Sequence, residues 1–271
     1  MIAFLAAPFV ASLILTGIHA YLGVHVVERG VIFVDLSLAQ IAALGATIAI
    51  LLPGSSGDPH AGVVYWISLA FTFIGAFVFS TIRSRRARIP QEAIIGICYA
   101  VASAASILAM SKATSESEHL KDMLVGNILA VSWPEVGKTA ALYGAIGVFH
   151  FVFRHRFLAI SMNPQQAEAE GISIRLWDFL FYASFGFVVT SSVSIAGVLL
   201  VFCYLIVPSV AAMLYADTIG KRLAIGWSMG TVVSALGVYL SLMLDLPTGA
   251  TIVCTFGLVL VFMAALRPLF R

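Results

Sequence analysis

The chain has 271 residues, of which 61% are hydrophobic and 10% are charged, with a formal net charge of +2. Soluble globular domains are about 45–50% apolar and about 25% charged, and a folded surface is too large to hide such an excess from water. The composition therefore excludes a soluble enzyme, a nucleic-acid-binding protein and a disordered scaffold, and it indicates that lipid is the solvent for most of the chain.

The N-terminal run, MIAFLAAPFVASLILTGIHAYLG, lacks a basic segment and a small-residue cleavage site. It therefore predicts a retained first helix and not a removed signal. The cysteines Cys98, Cys203 and Cys254 lie in apolar runs and form neither a disulfide framework nor a CxxC metal pattern.

Nine apolar stretches satisfy the length of about 20 residues that a transmembrane helix needs. They lie near 3–26, 31–52, 62–82, 91–111, 135–153, 175–193, 196–215, 222–243 and 248–267. A further apolar piece at 120–133 is too short to span and predicts a short surface or re-entrant helix. The stretch 175–215 allows two interpretations: two spans, or one span followed by a half-length helix. The possible break lies at Ser191, Ser192, Ser194 and Gly197. We expect an all-α bundle of eight or nine spans that forms a single domain over 1–271.

Basic residues are concentrated on one side of these spans. Of the 15 Lys and Arg residues, only Lys112, Lys121 and Lys138 fall on the opposite side. The positive-inside rule makes the basic side cytoplasmic, which places the N-terminus outside and the C-terminus in the cytoplasm. A re-entrant element in 175–215 would reverse only the N-terminal end. The pattern predicts a multi-pass plasma-membrane protein, with the Arg83–Arg88 cluster at the anionic inner leaflet.

The longest polar stretch on the cytoplasmic side is FRHRFLAISMNPQQAEAEGISIRLWDF. Asn163 and Pro164 are typical of a helix start, and Gly171 is a natural C-terminal stop. A short helix therefore follows Pro164 and includes Ala167 and Glu170. Two interpretations remain open at this stage: a helix that inserts into a cytoplasmic motor, and an ordinary surface helix.

Several ordered segments resemble the permease subunit of the bacterial zinc, manganese and iron ABC importers. These are LGVHVVERGVIFVDLSLAQIAALG, LVGNILAVSWPEV, ISMNPQQAEAEGI, GVLLVFCYLIVPSVAA and DLPTGATIV. The third matches the family pattern S-x-[SN]-P-x-x-A-x-x-x-G at Ser161, Asn163, Pro164, Ala167 and Gly171. The resemblance covers essentially the whole chain in order, which makes it specific although each match alone is weak.

The resemblance implies a fold like that of the vitamin B12 importer permease, a type II ABC permease. It implies a homodimer with the path on its axis, which binds a cytoplasmic ATPase and receives metal from an extracytoplasmic binding protein. On this interpretation 161–172 is the coupling helix. The chain itself would bind no cofactor, since the metal ion is cargo and the partner subunit uses the ATP.

Asp35 is the first candidate for the metal path, because an ionisable residue inside a span is costly and functional by default. Ser37 and Gln40 lie on the same helix and share a face, whereas Asp35 and Ser37 are about 160° apart. Family permeases present D-x-x-x-H here; aligned on Gly45, the family His falls on Gln40 and the family Asp on Leu36. The alternative for Asp35 is a carboxylate that pairs with Arg29 or caps the helix.

Three further residues in the spans are candidate metal ligands. His19 and His25 lie six positions apart and therefore on different faces of the first span. Imidazole suits zinc and iron, but a hydrogen bond to a neighbouring helix is the favoured explanation for each histidine. Cys203 precedes Pro208 by five residues, and a thiolate favours soft metals, although a buried cysteine also packs as a small hydrophobe.

Two polar loops are predicted on the outer side. PGSSGDPHAG carries Asp58 and His60, and SESEHLKD carries Glu118 and His119. These residues are candidates to meet the arriving metal or its binding protein, and the alternative is solvated surface.

The leading function is the membrane subunit of an ATP-driven importer of divalent metal, with zinc or manganese first and iron also open. The sequence has no GxxxxGK[ST] loop, so ATP hydrolysis would belong to another chain. A gradient-driven carrier is one alternative, but no internal repeat supports it. An intramembrane enzyme is another, but Asp35 alone makes no catalytic set.

Overall fold

The computed structural model describes residues 2–52, 62–82, 89–111 and 128–267, and the regular secondary structure in these ranges is helical throughout. In hydrocarbon every backbone N–H and C=O has to bond within the chain, and a helix achieves this within a single segment. The all-α architecture that the composition and apolar runs predict is confirmed.

The described ranges contain ten α-helices, which we number in chain order. They are α1 Ile2–Glu28, α2 Val34–Leu51, α3 Gly62–Ile82, α4 Gln91–Met110, α5 Trp133–Val152, α6 Arg154–Met162, α7 Pro164–Ala169, α8 Ile174–Tyr215, α9 Ile219–Leu244 and α10 Thr248–Leu266. A short 3-10 turn covers Ile128–Ala130. The helix predicted at 120–133 falls largely outside the described residues.

Seven of these helices are long and apolar enough to cross a membrane, and α5 and α6 give an eighth span if they count as one bent helix. The sequence predicts eight or nine spans, and the difference lies in α8. This element has 42 residues, and its backbone leaves the helical region at Gly197 (φ 75°, ψ 163°). A straight helix of that length would measure about 63 Å, about twice the hydrocarbon thickness. The break predicted near Gly197 is therefore present within one continuous element.

The chain divides into two compact units. The first comprises Met1–Val27, Leu124–Phe149 and Ser192–Arg271. In this unit small residues let the helices approach each other closely. A Cβ added to Gly23 of α1 would lie 2.0 Å from the carbonyl oxygen of Leu205 in α8, and a Cβ on Gly237 of α9 would lie 2.8 Å from the Cα of Ile252 in α10. The Trp227 indole N–H donates to the Gly17 carbonyl at 3.0 Å.

The second unit comprises Glu28–Met123 and His150–Ser191. Its helices α2 and α3 meet at Gly45, where an added Cβ would lie 2.9 Å from the Cα of Ser68. The Ser68 hydroxyl donates to the Ala42 carbonyl at 2.7 Å. Thr72 of α3 and Thr190 of α8 share a hydrogen bond of 3.0 Å between their hydroxyls. Such small and hydroxylated residues are typical of helix packing inside membranes.

Large apolar side chains are exposed on several of the long helices, including Leu108 of α4 and Leu258 of α10, which are 70% and 73% exposed. An exposed apolar surface of this extent is unfavourable in water but is solvated by lipid tails. The exposed faces therefore match the membrane environment that the composition predicts.

Candidate functional site

The candidate metal path of the second unit lies on α2. Asp35, Ser37 and Gln40 are 1%, 0% and 8% exposed. Both carboxylate oxygens of Asp35 and the hydroxyl of Ser37 are buried without a hydrogen-bond partner among the described residues. A buried polar group without a partner costs free energy, so these oxygens destabilise the unit as it stands and are available to a ligand.

Within the described residues, Asp35 takes neither of its alternative roles. Arg29 forms its ion pair with Asp178, whose carboxylate oxygen lies 2.7 Å from the guanidinium. The residue that caps α2 is Phe33, and its N–H donates to the Glu92 carboxylate of α4 at 2.9 Å. Asp178 thus pairs with Arg29, and Glu92 accepts the N–H of the residue that caps α2. Asp35 makes neither of these bonds.

The oxygens of α2 suit a divalent cation, since carboxylate, hydroxyl and amide oxygens are ligands for hard and borderline metal ions. Ser37 and Gln40 are three residues apart and share one face of α2, whereas Asp35 and Gln40, five apart, do not. Across the described residues, no group of three or more His, Cys, Asp and Glu side chains is placed to hold a metal ion.

His19 lies in a closed hydrogen-bond chain of the first unit. It is 0% exposed, and its Nδ1 lies 2.8 Å from the carbonyl oxygen of Leu15, so Nδ1 carries the proton. Its Nε2 accepts from the Ser192 hydroxyl at 3.2 Å, and Ser192 in turn bonds the Tyr143 hydroxyl. Because the Nε2 lone pair is already used, the arrangement favours the structural role of His19 over a ligand role.

His25 and Cys203 also belong to the first unit. His25 is 1% exposed, and its ring packs edge-on against Tyr21 with 4.8 Å between the ring centroids. Cys203 is half-buried in α8, five residues before Pro208. Neither residue belongs to a group of three or more His, Cys, Asp and Glu side chains that could hold a metal ion in the part of the chain that the structure describes.

The four candidates on the outer side, Asp58, His60, Glu118 and His119, lie outside the described residues. So do the arginines from Arg83 to Arg88, which the sequence predicts on the cytoplasmic side. The roles predicted for them remain predictions.

The short helix α7 has the ends that the sequence predicts. The Asn163 side chain accepts a hydrogen bond from the Gln166 N–H at 3.1 Å, and Pro164 occupies the first helical position. At the other end Gly171 has φ +79°. There the Ile172 N–H donates to the Ala167 carbonyl and the Gly171 N–H donates to the Glu168 carbonyl, both at 3.0 Å. These two bonds form a Schellman motif, which a left-handed glycine makes favourable.

The exposed side chains at α7 are polar apart from Ala169. Ala167 is 0% exposed, whereas Gln165, Gln166, Glu168, Ala169 and Glu170 are exposed. The Gln166 amide donates to the Glu170 carboxylate at 2.9 Å. The helix therefore packs onto its own unit through Ala167 and presents a polar face outward.

Two buried polar contacts of the second unit were not predicted from the sequence. Arg29 joins Asp178 of α8 and donates through Nε to the Ser161 hydroxyl of α6 at 2.9 Å. His150 bonds Ser184 at 2.8 Å and stacks on Phe157. The available signal was that Arg29 and Asp178 are ionisable residues of opposite sign at the edges of apolar runs, where unpaired charges are unfavourable.

Comparison with known proteins gives a consistent family result. The family model described as the ABC 3 transport family matches residues 1–267. The chain is 27% identical over 228 residues to the manganese transport system membrane protein MntC of Listeria innocua, with 84% of this chain and 81% of that protein covered. It is 27% identical over 203 residues to the chelated iron transport system membrane protein YfeC of Yersinia pestis, with 75% and 69% covered.

A solved structure supports the fold. The chain superposes on PsaBC from Streptococcus pneumoniae in complex with Fab with a TM-score of 0.79 and 22% sequence identity, and 97% of this chain and 95% of that chain are covered. At this identity the likeness concerns the arrangement of the helices.

Proposed function

Because the chain belongs to the ABC 3 transport family, we propose that it is the permease subunit of an importer of divalent transition-metal ions. It is a multi-pass plasma-membrane protein. The observation that carries the proposal is the family match over nearly the whole chain, together with a buried acidic residue on α2 that has no partner among the described residues.

The relatives support a metal substrate. One is described as a manganese transport protein and another as a chelated iron transport protein. The oxygens of Asp35, Ser37 and Gln40 suit manganese and iron as well as zinc, because these ions accept carboxylate and amide ligands. We therefore propose manganese, zinc or iron as cargo, either as the bare ion or as a small chelate.

The importer is proposed to consist of several subunits. Two copies of this chain would enclose the path, and a cytoplasmic ATPase would hydrolyse the ATP. A metal-binding protein would deliver the ion on the outer side, where Asp58, His60, Glu118 and His119 are candidates to meet it. Because the sequence has no GxxxxGK[ST] loop, ATP hydrolysis is proposed to take place on a separate ATPase subunit.

The helix α7 is proposed to be the element that contacts the ATPase. It is capped at both ends, anchored by Ala167 and polar on its outer face. A rigid element of this kind transmits a movement without being deformed, which alternating access between two states requires. Asn163, Pro164 and Gly171 fix its ends, and Glu170 lies on its polar face.

The experiment that tests the function is reconstitution. The chain is co-expressed with the ATPase and the metal-binding protein of its importer, and the complex is placed in proteoliposomes. We expect ATP-dependent uptake of manganese, zinc or iron and stimulation of ATP hydrolysis by the loaded binding protein. Uptake by the isolated chain along a proton or sodium gradient would contradict the proposal and favour a secondary transporter.

A further inference from the structure

We propose that Arg29 is a positioning residue that connects the cytoplasmic helix α7 with the start of α2, so that a displacement of α7 reaches Asp35. This inference rests on the proposed function of α7 as the ATPase contact. The residues that carry it all belong to the second unit.

Arg29 contacts three groups from two other elements. One guanidinium nitrogen bonds the Asp178 carboxylate of α8 at 2.7 Å, and Nε donates to the Ser161 hydroxyl of α6 at 2.9 Å. The guanidinium also lies 4.0 Å from the centre of the Phe181 ring. The side chains of Arg29 and Asp178 are both 0% exposed. The planar guanidinium fixes direction as well as charge, so this contact defines where α6 lies relative to Arg29.

The helix α6 is held on the same part of α8 by aromatic packing. Phe157 and Ser161 are four residues apart on α6 and therefore lie on one face. Phe157 is 0% exposed and contacts the rings of Trp177 and Phe181, with centroids 5.4 and 6.1 Å apart. The side of α6 that bonds Arg29 is thus packed against the start of α8, and α6 and this part of α8 form one rigid attachment.

Chain connectivity links this attachment to both functional elements. Ser161 precedes Asn163, the N-terminal cap of α7, by two residues. Arg29 lies in the turn that precedes α2 and is six residues before Asp35. Arg29 therefore bonds the end of α6, two residues before the cap of α7, and belongs to the segment that leads into α2. A shift of α7 that moves Ser161 displaces Arg29 and, through this turn, the first residues of α2.

Stability alone gives a weak reason for such a pair. A buried ion pair loses the hydration of both charges, and replacement by apolar side chains of similar volume is often neutral or stabilising. The pair does fix a unique geometry, because the arginine has to satisfy a carboxylate and a hydroxyl at the same time. A role in transmission therefore predicts that an apolar replacement keeps the fold and loses the coupling.

The test uses the reconstituted importer and measures metal uptake and ATP hydrolysis in the same vesicles. Three variants are compared with the wild type. The double variant Arg29→Met/Asp178→Leu removes the ion pair without leaving one charge alone. Ser161→Ala keeps the ion pair and removes the hydroxyl of α6 that accepts from the Arg29 Nε. Arg154→Met is the matched control, because Arg154 also lies over an aromatic ring, 4.5 Å from the centre of Phe151, but is exposed and forms no ion pair in the described structure.

We expect the double variant to assemble with the ATPase, to hydrolyse ATP and to import about three- to thirtyfold less metal per ATP than the wild type. Ser161→Ala should lower the same ratio by about two- to threefold, and Arg154→Met should leave it unchanged. A purely structural role would lower the melting temperature and the amount of complex, but it would not change the ratio of metal to ATP in the complex that remains.

An unchanged ratio in both the double variant and Ser161→Ala would overturn the inference, and so would an equal decrease in Arg154→Met. If the double variant does not fold, Ser161→Ala decides alone, because it removes a single hydroxyl. Failure of the proposed function has a different signature, since the wild-type complex itself would then import no metal with ATP.

Discussion

Gly23 of α1 lies so close to Leu205 of α8 that an added Cβ would stand 2.0 Å from the Leu205 carbonyl oxygen and 2.3 Å from the Ser209 hydroxyl oxygen. The Ser209 hydroxyl donates to the Leu205 carbonyl at 2.9 Å. The two helices therefore meet backbone to backbone, and a hydrogen atom is the only side chain that fits. Close approach of this kind is a source of packing free energy within lipid, where water provides no driving force.

The first prediction concerns this contact. Gly23→Ala should destabilise the protein by about 1–3 kcal/mol, because the methyl group overlaps a backbone carbonyl that cannot move freely. The matched control is Gly17→Ala on the same helix, where an added Cβ meets nothing within 4 Å. Apparent melting temperatures in detergent measure both variants. Equal values for the two would contradict the close contact between α1 and α8.

The second prediction concerns the backbone of α8. Gly197 has φ 75° and ψ 163°, a region that residues with a Cβ essentially do not occupy. Gly197→Ala should therefore cost about 1–3 kcal/mol whatever the surrounding space. Gly257→Ala in α10 is the control, since it is helical and an added Cβ has no neighbour within 4 Å. A melting temperature for Gly197→Ala equal to that of the control would mean that α8 continues without a break.

The elements that the sequence predicts well are those that depend on local signals. The ends of α7 follow from Asn163, Pro164 and Gly171, because a cap and a left-handed stop require only neighbouring residues. The spans follow from apolar length, and their described boundaries differ from the predicted ones by a few residues. The number of spans was harder to predict, because the serines before Gly197 do not reveal whether the helix continues past them.

The side-chain partners could not be predicted, because they depend on distant segments meeting in space. Arg29 and Asp178 are 149 residues apart, and the partner that the sequence offered for Arg29 was the nearby Asp35. For His19 the sequence favoured a structural role and left a ligand role as the alternative. The structure favours the structural role, because Ser192, 173 residues away, occupies its Nε2 lone pair.

The third prediction concerns the anchorage of α7. Ala167→Glu should abolish co-purification with the ATPase, because a charged side chain has no room where Ala167 is fully buried and would lift α7 from its unit. Ala169→Glu is the matched control, since Ala169 belongs to the same helix and is exposed. Co-purification is measured on the membrane complex by affinity capture. Retention of the ATPase by Ala167→Glu would reject α7 as the contact. Loss of the ATPase in both variants would mean that the added negative charge, and not the displacement of α7 from its unit, prevents binding.

The fourth prediction concerns Asp35. Asp35→Asn should leave the complex assembled and lower metal uptake at saturating ATP by about 10- to 100-fold or more, the effect expected when a metal site loses an important group. The melting temperature should stay equal or rise, because the carboxylate has no partner among the described residues and its burial is unfavourable.

Two controls separate this result from a structural effect. Asp178→Asn breaks a buried ion pair and should lower the stability by about 3–5 kcal/mol, whereas Asp217→Asn changes an exposed residue and should alter neither stability nor uptake. Uptake and melting temperature are measured on the same preparations. Unchanged uptake in Asp35→Asn would remove Asp35 from the metal path. A melting temperature that falls as far as that of Asp178→Asn would mean that the Asp35 carboxylate supports the fold and not the passage of the ion.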